Sequence, residues 1–292
     1  MADIPNPKSF LDRYTTLRIP NTTNGATTEA AMTSYGSGWG TDDKANRPTG
    51  YLSQAEYNSY FKLAVRKAAT GSTSKVPPTP ILFADPGIKG IPSYEPFYAN
   101  SFIRAFLGKG SPEEIVDTLR LAIAMKRIGI GKDIAGAACA RSTLADYVRD
   151  FISLDCNGLV GNYYGVNPEN SIEFYASPAK RRSKLADIAV GDAIVTVNSS
   201  SKYEHIALLD EFTRPPSTEK EPTCYIKICE WGQKGDETKH FTGATAKAVK
   251  VKQGPDSKLG LGFASGTSFR YFFAPPQTPV AREWGLGGDP AK

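Results

Sequence analysis

The sequence predicts an α+β protein, in which helices occupy the first part of the chain and antiparallel strands the second. Two S-x-x-E patterns, at residues 53–56 and 111–114, mark helix starts, because the Ser and Glu side chains can each satisfy a free backbone N–H group. From about residue 190 the apolar residues recur at every second position, which is typical of strands with one buried face.

Three helices are expected between residues 53 and 151. The first runs over 53–69, and the second over 111–127 with Pro112 at its first helical position. Ser142 is the expected N-cap of the third helix. Residues 1–50 are rich in Thr, Asn, Gly and Pro and are expected to be mostly irregular.

The predicted sheet is built from five segments separated by Gly, Pro or Ser clusters. These segments are 193–198, 203–212, 223–231, 247–252 and 268–274. We expect residues 106–292 to form one domain around this sheet, preceded by an extension of unknown role at residues 1–105.

Composition indicates an ordinary water-soluble globular protein. The 292 residues are 40% hydrophobic and 22% charged, with a formal net charge of +5, which does not require a nucleic-acid partner. The N-terminal MADIPNPKSFLDRY lacks the basic start and apolar run of a Sec signal. The most apolar stretch, at 119–131, is too short to span a bilayer and is interrupted by charges, so membrane insertion is not expected. The expected location is the cytoplasm, unless another route exports the chain.

Neither a disulfide framework nor a metal site is expected. The chain has four cysteines with no C-x-x-C spacing, and its histidines are His205 and His240. Four cysteines in a chain this long do not indicate a disulfide scaffold, and two histidines are few for a site built on His and Cys. We therefore expect no cofactor and no metal.

Cys156 is the candidate nucleophile. Asp155 is a good N-cap, which places Cys156 in the first turn of a short helix that ends at Gly165. The unpaired N–H groups and positive end of a helix favour a thiolate there. The alternative is that Cys156 is simply a buried small apolar residue.

His205 is the candidate base. In a strand, Tyr203, His205, Ala207 and Leu209 share one face, so the imidazole continues an apolar row and is partly shielded from water. Asp155 and Tyr203 lie beside this pair in the sequence and are the candidate substrate-binding residues.

Three runs carry a resemblance to a known family: DCNGLV at 155–160, LADIAVGD at 185–192 and EHIALL at 204–209. In this order and spacing they resemble the motifs of the NlpC-type cell-wall peptidases, a branch of the papain-like cysteine hydrolases, over about residues 140–275. The resemblance implies a catalytic Cys at the start of a helix packed on an antiparallel sheet. It also implies cleavage of amide bonds in peptidoglycan stem peptides. Asn157 and Ala207 depart from the family pattern, which has Ser and usually Gly there.

The third catalytic residue has two candidates. In the resembled family a polar residue on the next strand orients the base. Here Glu230 shares a strand face with Ile226 and Ile228, where a carboxylate is costly unless it is paired, for instance with the imidazolium of His205. His240, ten residues further on, is the reserve candidate.

Two rival functions remain open from the sequence. One is a toxin-like or phage-associated cell-wall hydrolase of the same chemistry, delivered without a Sec signal. The other is a non-catalytic binding module on the same fold. The sequence does not indicate which amide bond would be cut.

Overall fold

A computed structural model describes the chain in segments, and every structural statement below concerns these segments. They are residues 6–20, 27–33, 35, 81–82, 96–97, 104–106, 108–124, 126–132, 138–168, 170–215, 223–233, 240–241, 245–252, 262–265 and 268–276.

The described helices are short, and most precede the strands of the main sheet. They are α1 (Pro7–Thr15), α2 (Pro112–Ala124), α3 (Leu144–Phe151), α4 (Cys156–Tyr164) and α5 (Ile172–Tyr175), with 3-10 turns at Pro178–Lys180 and Leu185–Asp187.

The capping box predicted for α2 is confirmed. The backbone N–H of Ser111 donates to Glu114 Oε2 at 2.9 Å, and the N–H of Glu114 donates to Ser111 Oγ at 3.2 Å. These two bonds satisfy donors that a helix start otherwise leaves free. The helix ends at Ala124, three residues before its predicted end at Arg127.

The predicted cap of α3 was wrong by one residue. Thr143, and not Ser142, is the N-cap, because its Oγ1 accepts a hydrogen bond from the N–H of Asp146 at 3.1 Å.

The prediction that residues 1–50 are mostly irregular also fails for α1, which buries Phe10, Leu11 and Tyr14. The predicted helix at 53–69 lies outside the described residues.

The described strands fall mostly in the second half of the chain. They are β1 (Leu17–Pro20), β2 (Thr27–Ala30), β3 (Ile81–Leu82), β4 (Pro96–Phe97), β5 (Ala193–Val197), β6 (Tyr203–Arg214), β7 (Thr223–Cys229), β8 (Gly232–Gln233), β9 (His240–Phe241), β10 (Thr245–Lys252), β11 (Gly262–Ser265) and β12 (Ser268–Phe273).

Six of these strands form one antiparallel sheet in the order β10-β7-β6-β5-β12-β11. Each of the five predicted segments contributes a strand to it, but β7 ends at Cys229, before the predicted end at Trp231, so Glu230 lies beyond the strand on which it was predicted. The chain thus combines helices with an antiparallel sheet, as expected for an α+β protein. Directly opposite residues lie on the same face, and Arg270, Thr196 and His205 are opposite one another on β12, β5 and β6.

One face of this sheet carries a buried apolar cluster, which continues the face on which His205 lies. Its members come from β5, β6, β7, β12 and the turn before β5. They are Leu185, Ile188, Ile194, Ala207, Leu209, Cys224, Ile226, Ile228 and Phe272. Burying apolar side chains of this size contributes about 1.5–3 kcal/mol each, so the cluster gives the sheet a rigid framework.

The chain divides into two compact units. The first contains residues 1–12, 156–232 and 242–282, and the second contains 13–155, 233–241 and 283–292. The predicted organisation, with an extension at residues 1–105 and one domain at residues 106–292, stays a prediction. Within the described segments, no helix is both long and apolar enough to span a membrane.

Candidate active site

Cys156 is the first residue of α4, and only 5% of it is exposed to solvent. The helix continues to Tyr164 and ends at Gly165, whose φ of 65° is the left-handed conformation that favours glycine at a helix end. The helix predicted for this stretch is therefore confirmed. The first backbone N–H groups of a helix lack a partner within the helix, and Cys156 begins this first turn.

His205 lies on β6, against which α4 packs, and its side chain is 18% exposed. Its Nε2 lies 3.2 Å from Glu230 Oε2. Cys156 acts on the same imidazole through a hydrogen bond and through its charge, both of which raise the pKa of His205.

The surroundings of His205 favour its protonated form. Burial is the largest single influence and by itself lowers the pKa of the imidazole. The hydrogen bonds to Cys156 and Glu230, together with the charges of both groups, outweigh burial and raise the pKa from 6.5 to about 9. The imidazolium is therefore the favoured form of His205 near neutral pH.

Glu230 follows the last residue of β7 and is fixed by its neighbours. Cys229 before it and Trp231 after it are fully buried, while the Glu230 side chain is 14% exposed. Arg270 Nη1 donates to Glu230 Oε2 at 3.0 Å. Burial acts most strongly and would raise the pKa of this carboxyl, but His205 and Arg270 together hold it below its ordinary value. Glu230 is therefore ionised beside His205.

Gly232 limits the space around the imidazole. A Cβ built on Gly232 would lie 3.0 Å from His205 Cε1, which is closer than almost all real Cβ contacts. The absence of a side chain at this position therefore lets the ring lie where it reaches Glu230.

The run at 185–192 forms the turn that leads into β5. Gly191 has φ 86°, and Asp192 accepts two hydrogen bonds from Arg182, at 2.9 and 2.7 Å. Asp192 also accepts from the N–H of Ala189 at 2.9 Å, and its side chain is fully buried. Tyr164 of α4 donates to the carbonyl of Gly191 at 2.7 Å, so a hydrogen bond joins α4 to the turn at the start of β5.

The remaining predicted site residues differ in their surroundings. Asp155 is buried, and Lys109 Nζ pairs with its Oδ2 at 2.6 Å. Tyr203 begins β6, opposite Val197, and is half-buried. Their substrate-binding roles stay predictions. His240 begins β9 in the second compact unit, and its side chain lies outside the described part of the chain.

The other cysteines have different environments. Cys156, Cys139, Cys224 and Cys229 are all free thiols, as expected from their spacing. Burial raises the pKa of Cys224 to about 11 and that of Cys229 still further. Cys139 Sγ lies 3.1 Å from the carbonyl oxygen of Lys126. Of the four thiols, only Cys156 is among the groups that act on the pKa of His205.

Arg270 is the site residue that sequence reasoning missed. A signal existed, because Arg270 interrupts an aromatic strand, SFRYFF, in which a partly buried charge requires a partner. Over the described ranges, no group of three or more His, Cys, Asp or Glu side chains is arranged to hold a metal ion.

Comparisons of the chain with the families of known proteins, with curated proteins and with solved structures found no match.

Proposed function

We propose that this chain is a cysteine hydrolase of the papain-like type, with Cys156 as nucleophile, His205 as acid and base, and Glu230 as the residue that orients the imidazole. The observation that carries the proposal is the continuous chain of contacts from Cys156 through His205 to Glu230, beginning at a helix N-terminus. A nucleophile, its base and an orienting group within hydrogen-bond reach are the signature of covalent catalysis.

The proposed reaction is acyl transfer through a thioester. The Cys156 thiolate attacks an amide carbonyl, and the carbonyl oxygen becomes an oxyanion that the N–H of Cys156 can stabilise. The imidazolium of His205 then gives its proton to the leaving nitrogen, the C–N bond breaks, and the acyl group stays on sulfur. His205, now neutral, takes a proton from water, which attacks the thioester and releases the acid.

The proposed substrate is an amide bond in the peptide stem of bacterial peptidoglycan. This part of the proposal depends on the resemblance of the runs at 155–160, 185–192 and 204–209 to the NlpC-type peptidases. Two residues of the second run, Gly191 and Asp192, make hydrogen bonds that hold the turn next to α4 in place.

The test is digestion of purified peptidoglycan followed by mass analysis of the released fragments. Wild type should release fragments that carry a new amine and a new carboxylate, and Cys156→Ala should release none. Cys139→Ala is the matched control, because it removes a thiol that has no imidazole beside it, and it should behave as wild type. Hydrolysis should also persist in EDTA.

Three outcomes would contradict the proposal. Equal digestion by wild type and Cys156→Ala would exclude the thiol as nucleophile. Loss of activity in EDTA with recovery on adding zinc would indicate a metal-dependent reaction. Tight binding to peptidoglycan without any released fragment would instead support the rival function, a binding module on this fold.

A further inference from the structure

We propose that Arg270 is a positioning residue of this site, which holds the Glu230 carboxylate against His205 and so sustains the imidazolium. A catalytic role for Arg270 rests on the proposed function. Its effect on the position of Glu230 can be measured without a substrate.

The register of the sheet brings Arg270 to the face on which His205 lies. Arg270 on β12 is opposite Thr196 on β5, and Thr196 is opposite His205 on β6. The three side chains therefore stand in one row across three adjacent strands. The side chains of Arg270 and Glu230 extend towards each other and meet beside His205, where Nη1 and Oε2 lie 3.0 Å apart.

A single carboxylate oxygen joins the two cationic side chains. Glu230 Oε2 accepts from Arg270 Nη1 at 3.0 Å and lies 3.2 Å from His205 Nε2. The exposed fractions of the Arg270, Glu230 and His205 side chains are 16%, 14% and 18%. Water and salt therefore screen these charges less than they screen a surface ion pair.

Glu230 depends on Arg270 because it lies beyond the end of β7. The guanidinium holds its charge at any physiological pH and keeps a fixed planar geometry, which suits it to fixing a carboxylate in one orientation. The positive charge of Arg270 is among the influences that hold the pKa of Glu230 below its ordinary value. Without Arg270, the carboxylate loses its second contact and can turn away from Nε2, so its pull on the His205 proton weakens.

The test is an NMR titration of the full chain labelled with 13C-histidine. The sequence has two histidines, so His240→Gln assigns the Cε1 resonance of His205. Arg270→Gln removes the charge, Arg270→Lys keeps it, and Arg214→Gln is the matched control. Arg214 lies on the same sheet, but its guanidinium packs over the ring of Tyr225, 5.0 Å from the centroid.

We expect the apparent pKa of His205 to fall by about 1 unit in Arg270→Gln, by less in Arg270→Lys, and to remain unchanged in Arg214→Gln. An unchanged pKa of His205 in Arg270→Gln would overturn the proposal, because it would show that Arg270 has only a structural role. A rise would also overturn it, because Arg270 would then compete with His205 for the carboxylate. Arg270→Lys provides the same comparison if Arg270→Gln does not fold.

Turnover separates the failure of this inference from the failure of the proposed function. If His205 shifts as expected and no variant hydrolyses peptidoglycan, the positioning role stands and the proposed function fails. If hydrolysis depends on Cys156 while His205 titrates unchanged in Arg270→Gln, the proposed function stands and the role of Arg270 fails. When both hold, Arg270→Gln should lower kcat more than it alters KM, with partial rescue in Arg270→Lys.

Discussion

Replacing Glu230 by Gln should move the alkaline limb of the pH–rate profile to lower pH. The imidazolium of His205 is the proposed acid for the leaving amine, so activity is expected below its pKa and is lost as the pH rises through that value. In wild type, the contacts with Cys156 and Glu230 place the pKa of His205 at about 9. We therefore expect the wild-type limb of kcat/KM near pH 9.

The size of the shift follows from the geometry. Glu230 Oε2 lies 3.2 Å from His205 Nε2, and both side chains are largely buried. An opposite charge within about 4–6 Å shifts a pKa by about 1–3 units. Gln keeps an oxygen that can accept a hydrogen bond from Nε2 but carries no charge. The alkaline limb should therefore fall to about pH 6–8 in Glu230→Gln.

The assay is the pH dependence of kcat/KM on peptidoglycan fragments, with Glu230→Ala and His240→Ala beside Glu230→Gln. Glu230→Ala also loses the orienting acceptor, so turnover should fall by about 10²–10⁴-fold, mainly in kcat. Glu230→Gln should retain more activity, and His240→Ala should be nearly neutral. An unshifted alkaline limb in Glu230→Gln would refute the reasoning. Inactivation by His240→Ala, with Glu230→Ala still active, would also refute it and would assign the third catalytic role to His240.

Three further predictions concern single residues. At pH 6, iodoacetamide should label Cys156 ahead of the other three cysteines, as measured by peptide mass spectrometry, and equal labelling would count against a paired thiolate. Gly232→Ala should lower kcat by about tenfold, because the added methyl displaces the His205 ring by a few tenths of an ångström; wild-type kinetics would show that the ring has room to move. Asp192→Asn should lower the free energy of unfolding by about 1.5–3 kcal/mol, because it breaks the bidentate pair between the fully buried Asp192 carboxylate and Arg182, whose side chain is 24% exposed. Urea denaturation measures this change, and a change under about 1 kcal/mol would mean that the pair behaves like an exposed one.

The features that sequence reasoning predicted are those that depend on local chemistry. The capping box at 111–114 specifies its own hydrogen bonds, and the alternation of apolar residues predicted the strands of the main sheet, although β5 is buried on both faces. The helix between Cys156 and Gly165 is likewise local, since its end requires only a glycine in the left-handed conformation. The placement of Glu230 near His205 followed from the cost of a partly buried charge on an apolar face.

The features that sequence reasoning missed depend on contacts between distant segments. Arg270 meets Glu230 because β12 pairs with β5, an order that the spacing of the strands along the chain does not specify. Helix α1 escaped prediction because its stretch is short and adjoins Asn- and Thr-rich sequence. Its stability comes instead from tertiary contacts such as the bond from the N–H of Lys8 to Asp210 Oδ1 at 2.8 Å.

The central claim, that Cys156 is a covalent nucleophile, is tested most directly by trapping the acyl-enzyme. Wild type is mixed with peptidoglycan fragments and quenched in acid within the first turnovers, and the peptide that contains Cys156 is analysed by mass spectrometry. We expect an added mass equal to the acyl part of the cleaved fragment, located on Cys156 and removed by hydroxylamine as a thioester. Fragment release without any adduct on Cys156, or release that persists in Cys156→Ala, would contradict the account.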